Sequence, residues 1–97
     1  MTEDDFNRIQ RVLADDLIAI ESAQYHREAF GSWVVRVAIT PRLRIVWDGR
    51  ESVLSVQRET AKLFNEQHLW QDIWIARDPA QQTPENAAKV IRANGAA

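Results

Sequence analysis

The stretch from Trp33 to Ile39 alternates, and that period of two constrains the fold more than any other feature of the chain. In Trp33-Val34-Val35-Arg36-Val37-Ala38-Ile39 the odd positions are all bulky and apolar, and Arg36 marks the other side. This is the pattern of a half-buried strand and not of an amphipathic helix. Pro41 interrupts it, after which Leu43, Ile45 and Val46-Trp47 resume the rule with Arg42 and Arg44 outward. Asp48-Gly49 is a strong turn signal, and Val53, Leu54 and Val56 form the return strand. A four-residue loop from Asp48 to Glu51 would pair Ile45 with Leu54 and Leu43 with Val56. A two-residue loop would pair Leu43 with Leu54 instead. Either register leaves Leu43, Ile45, Leu54 and Val56 on one face, because a slip of two residues preserves the sides of a strand. Residues 22 to 28 are expected to pair with 33 to 39 through a turn at 29 to 32, and residues 70 to 76 form the last strand.

The two ends follow the helical period. Phe6, Ile9, Leu13, Leu17 and Ile20 recur at steps of three and four. Thr2 is placed to cap, and Glu3, Asp4 and Asp5 suit the positive end of the helix dipole. These residues predict a helix over about 3 to 20, although residues 17 to 20 also read as the start of a strand. Thr83-Pro84-Glu85 is a second helix start, with Ala87, Ala88, Val90 and Ile91 for packing and Gly95 as the stop. Residues 59 to 69 read as a polar loop, with a short helix over 60 to 66 as the alternative. The expectation is an α+β fold. A single antiparallel sheet of four or five strands carries N- and C-terminal helices packed on one face. All 97 residues form one domain.

Composition bounds the function classes. An apolar fraction of 45% and a charged fraction of 27% are those of a globular chain. With no cysteine there is no disulfide, thiolate metal site or cysteine nucleophile, and the chain is at ease in a reducing cytoplasm. The acidic start, Thr2-Glu3-Asp4-Asp5, does not resemble a secretory signal. The apolar run from Leu17 to Ile20 falls far short of the roughly 20 residues that span a bilayer. The two histidines, His26 and His68, lie far apart and in no ligand-spaced cluster, so neither a metal nor a cofactor is expected. His26 would act as a general base only beside a carboxylate brought to it by the fold. The glycines sit at turns or a helix end, and Ser32, Ser52 and Ser55 lack a nucleophile-elbow context. An enzyme is not expected.

Binding is the better-supported chemistry, and two surfaces offer themselves. Trp33 and Trp47 fall at inward strand positions and belong to the core. Trp70 and Trp74 share a side with Asp72, whereas Ile73 and Ile75 share the other. If the isoleucines meet the helices, Trp70, Asp72 and Trp74 form an outward strip beside Arg36, Arg42 and Arg44, the residue types that anchor protein interfaces. If the tryptophans are buried, Asp72 sits at an edge. The same arginines and aromatics would suit a single-stranded nucleic acid or a ligand, but the sequence pI of about 5.6 opposes a polyanion. The second surface is acidic. Residues 1 to 24 carry Glu3, Asp4, Asp5, Asp15, Asp16 and Glu21 against only Arg8 and Arg11. Asp15, Asp16 and Glu21 form either a solvated helix face or a patch that steers a basic partner.

Three stretches, Phe30-Gly31-Ser32-Trp33-Val34-Val35, Leu43-Arg44-Ile45-Val46-Trp47-Asp48-Gly49-Arg50 and Trp70-Gln71-Asp72-Ile73-Trp74-Ile75, together resemble small bacterial immunity proteins, including those of contact-dependent growth inhibition systems. The resemblance implies a cytoplasmic protein that binds a cognate toxin domain, often a nuclease, and blocks it stoichiometrically. It implies no catalytic residues and transfers no binding positions.

Overall fold

The period-two segments pair in strict sequence order. A computed structural model describes residues 1–60 and 70–95 of the chain. It contains α1 (Glu3–Asp15), β1 (Ile20–His26), β2 (Ser32–Val37), β3 (Leu43–Asp48), β4 (Val53–Glu59), β5 (Trp70–Ala76), a 3-10 turn at Pro79–Gln81 and α2 (Pro84–Asn94). The strands form one five-stranded antiparallel sheet ordered β1-β2-β3-β4-β5. The α+β architecture is the expected one, with both helices over a single face. The loop expected over 59 to 69, like its alternative of a short helix over 60 to 66, falls largely outside the described residues.

The alternation translates directly into the core. Trp33, Val35, Val37, Leu43, Ile45, Trp47, Leu54 and Val56 are buried beneath Ile9 and Leu13 of α1 and Ala87, Ala88 and Ile91 of α2. Full burial of each large aliphatic side chain is worth about 1.5–3 kcal/mol, and this face supplies most of the driving force. Phe6 of α1 packs its ring 5.7 Å from that of Trp33 and 5.6 Å from that of Tyr25. Among the described residues Trp33 is the largest fully buried side chain, and its indole N–H has no hydrogen-bond partner there.

Both helix starts obey their capping signals. The Thr2 hydroxyl accepts from the Asp5 N–H at 3.3 Å, and the Asp5 carboxylate accepts from the Thr2 N–H at 2.8 Å. Thr83 caps α2 by accepting from the Asn86 N–H at 3.1 Å, with Pro84 in the first turn. Arg8 reaches Glu85 at 2.5 Å, and Arg92 pairs with Asp16. These two bridges tie the middle of α1 to the start of α2 and the end of α1 to the last turn of α2, so the helices run side by side in the same sense.

Three expectations need correction. The first helix stops at Asp15 rather than near residue 20. The Leu17 N–H donates to the Ala14 carbonyl and the Ile18 N–H to the Leu13 carbonyl, a Schellman ending that satisfies the last carbonyls of α1. Leu17 takes the left-handed position of that motif, at φ 61°. The chain thereby swings Ile18 and Ile20 onto the core and starts β1.

The second correction concerns the hairpin, where Ile45 pairs with Val56 and Leu43 with Arg58, two residues beyond the register of the four-residue loop and four beyond that of the two-residue loop. The Asp48 carboxylate accepts from the N–H groups of Arg50 and Glu51, so Asp48 closes β3 and the turn spans residues 49 to 52. Gly49 is required there, since a Cβ would lie 2.0 Å from the Phe30 carbonyl oxygen of the neighbouring turn. As the slip is by an even number of residues, the inward set survives.

The third is parity in the edge strands. Glu21 in β1 and Ile73 in β5 are each an extra residue opposite a single step of the adjacent strand.

Candidate functional site

The bulge at Ile73 decides what the uncovered face of the sheet presents. Before it, Trp70 pairs with Glu59 and Asp72 with Gln57; after it, Trp74 pairs with Val56 and Ile75 with Ser55. Trp70, Asp72 and Ile75 therefore lie on the open face, while Trp74 packs with Ile73 against the core. The expected outward strip of Trp70, Asp72 and Trp74 is split. Trp74 leaves it for the helix side, and Ile75, 44% exposed, takes its place. The reason is local: an inserted residue reverses which side every later side chain occupies.

The remaining members are held by a cross-strand network. Arg36, Arg44 and Gln57 are successive partners across β2, β3 and β4. Two arginines directly opposite each other repel. Both are accommodated by the Trp70 ring, whose centroid lies 4.2 Å from the Arg44 guanidinium carbon and 5.6 Å from that of Arg36. The Arg44 Nε donates to Gln57 Oε1 at 2.6 Å, and Gln57 Nε2 donates to Asp72 Oδ1 at 2.8 Å. Burial first, and the Arg36 charge second, hold the Arg44 pKa below its ordinary value; Asp72 acts in the opposite direction. Arg44 nevertheless stays protonated throughout the working pH range. Gln57 was not singled out by sequence reasoning, since its role as relay depends on register.

Beside this row runs a less polar one. Val34 pairs with Val46, Val46 with Ser55 and Ser55 with Ile75, crossing the sheet from β2 to β5. A shallow groove of about 280 Å³ lies over β3, β4 and β5, floored by Val46, Ser55 and Gln57 and edged by Asp48, Glu51, Asp72, Ile75 and Arg77. Arg42, at the end of the row, stands 3.9 Å from both Glu21 and Glu59. The open face and the edge of its groove thus carry Arg36, Arg42, Arg44 and Arg77 against Glu21, Asp48, Glu51, Glu59 and Asp72. Together they are close to electrically balanced.

The acidic segment does not survive as a continuous patch. Asp5 is part of the α1 cap, Glu3 lies 3.8 Å from Arg27, Asp16 pairs with Arg92, and Glu21 faces Arg42. Asp15 alone of the expected trio Asp15, Asp16 and Glu21 is exposed at a helix end without a described partner. The two aspartates and Glu21 are also divided between the end of α1 and the bulge of β1. His26, part-exposed on the open side of β1, has its Nδ1 3.8 Å from the exposed carboxylate of Glu28, a loose surface pair. Among the described residues, no cluster of three or more histidines and carboxylates could hold a metal ion, and no helix is long and apolar enough to cross a membrane.

By its fold, the chain is an antiparallel five-stranded meander with two helices on one side. No protein family, no curated protein and no solved structure matches it.

Proposed function

We propose that this chain is an immunity protein that neutralises a cognate toxin domain by stoichiometric binding in the cytoplasm, and that it meets the toxin with the open face of its sheet. The observation that carries this reading is the Arg36–Arg44–Trp70 platform, fixed by Gln57 and Asp72 and bordered by the exposed Ile75. Tryptophan and arginine are the side chains in which interface energy concentrates, and fixing them before contact lowers the entropy cost of association. The helices already occupy the other face, so a partner gains access here without disturbing the core.

The charge balance of this face favours a protein over a nucleic acid. A polyanion-binding groove needs a net basic field and loses affinity steeply with salt. Here each arginine-rich row is matched by carboxylates. The resemblance to immunity proteins supplies the class of partner, and a toxin-like product of the neighbouring upstream gene is the protein to test. In a calorimetric titration the expected result is one-to-one binding that changes little between low and high salt. Absence of binding by that product removes the proposal. Retention of single-stranded nucleic acid at low salt, lost at high salt, would replace it with the competing reading of the same platform.

A further inference from the structure

Leu17 is the most exposed large apolar side chain in the described structure, at 93% of its full accessibility. It also occupies the left-handed position of the Schellman ending of α1, at φ 61°. Glycine takes that position without strain, and asparagine next best; a leucine pays a steric cost there. Among the described residues its side chain gains no packing, because Ile18, and not Leu17, makes the apolar contact with the core. The described fold therefore gives no reason for a leucine at this residue.

Beside Leu17 lies an apolar hollow of about 350 Å³ between the ends of the two helices and the β2–β3 loop, walled by Ile18, Ile39, Ile91 and Gly95. It is more than a leucine side chain needs. Asp16 and Arg92, a carboxylate and a guanidinium already paired with each other, stand on its rim. This one patch holds a knob, a hollow, and one charge of each sign. Such a patch is complementary to itself under a two-fold axis, which is the requirement for an isologous contact.

We propose that this end of the molecule is a self-association surface: in a two-fold dimer, Leu17 of each copy enters the hollow of the other, and Asp16 of each copy approaches Arg92 of its mate. A second copy is favoured over a strongly charged partner because the Asp16–Arg92 pair leaves the rim without a net charge to select one. The surface belongs to the helix layer, so a dimer leaves both open sheet faces free. The inference is independent of what those faces bind.

Sedimentation equilibrium of the full chain, from micromolar to millimolar concentration, tests it. The wild type is expected to move from its monomer mass of 11.2 kDa toward twice that value. Leu17→Gly removes both knobs, and raises the dissociation constant by about a hundredfold or more. Leu17→Met, which keeps an apolar side chain of similar volume, retains the dimer. Thermal unfolding at micromolar concentration is the folding control: because Leu17→Gly relieves the left-handed strain, its Tm is expected at or above that of the wild type. A wild type that remains monomeric at millimolar concentration overturns the proposal. So does a Leu17→Gly chain that dimerises as tightly as the wild type.

Discussion

The two faces of this sheet are made of the same strands but specified in different ways. On the helix side, Trp33, Val35, Ile45, Trp47, Leu54 and Val56 are each buried because each is apolar and falls on the inward phase of its strand. On the open side, Arg36, Arg44, Gln57, Trp70 and Asp72 owe their positions to one another, through stacking and hydrogen bonds across four strands. The first face tolerates a shift of register by two residues, since any apolar neighbour serves. The second does not, because Gln57 can relay between Arg44 and Asp72 only where it directly faces both. A burial face is robust and unspecific; a polar network is specific and fragile.

Substitutions on the two sides should separate folding from binding. The largest expected effect is on the helix side, where Trp33→Ala is predicted to cost about 3–5 kcal/mol in urea unfolding. Trp33→Phe should cost much less, because it also deletes an indole N–H that is buried without a partner. Equal losses for the two variants would show that the indole nitrogen is not a burden. On the open face, Trp70→Ala is expected to reduce affinity for the proposed toxin partner by roughly 30-fold or more while costing only about 0.5–1 kcal/mol of stability. A large stability loss with unchanged affinity would reverse the assignment of the two faces.

Smaller effects refine the contrast. Gln57→Ala is predicted to cost about 1 kcal/mol, and a double-mutant cycle with Asp72→Ala should return a coupling of about 0.5–1.5 kcal/mol, as the 2.8 Å hydrogen bond requires. Additive losses would mean that the relay has no energetic content. The smallest change is expected for Asp16→Asn, within about 0.5 kcal/mol by thermal unfolding. That variant breaks a surface ion pair with Arg92 but also removes a negative charge from the negative end of α1, and the two effects oppose each other.

The helix-side pattern was legible in the sequence because burial is periodic. Thr2, Thr83-Pro84 and the inward strand residues announced both helix starts and the sheet. What was hidden depended on single insertions and on contacts distant in sequence. The helical spacing through Leu17 and Ile20 continues past the true end of α1, because Leu17 stays in phase while its backbone has already turned left-handed. The run Ile73-Trp74-Ile75-Ala76 breaks alternation, which is itself the trace of a bulge, but a single sequence does not say which residue is the extra one. That ambiguity kept Trp70 and Trp74 on one side together in either reading and hid Ile75. The acidic trio looked continuous because Arg92 and Arg42, which pair with two of its members, lie far along the chain.

The placement of the two bulges has a consequence for how this protein behaves in crowded solution. A five-stranded meander has two free margins, β1 and β5, and an unbroken margin is a template on which another chain can add a strand without limit. Glu21 interrupts one margin and Ile73 the other, and each locally increases the twist of its strand. Removing both irregularities would leave two straight, sticky borders on a small sheet. Fibre growth, more than loss of the native state, is then the failure to watch for.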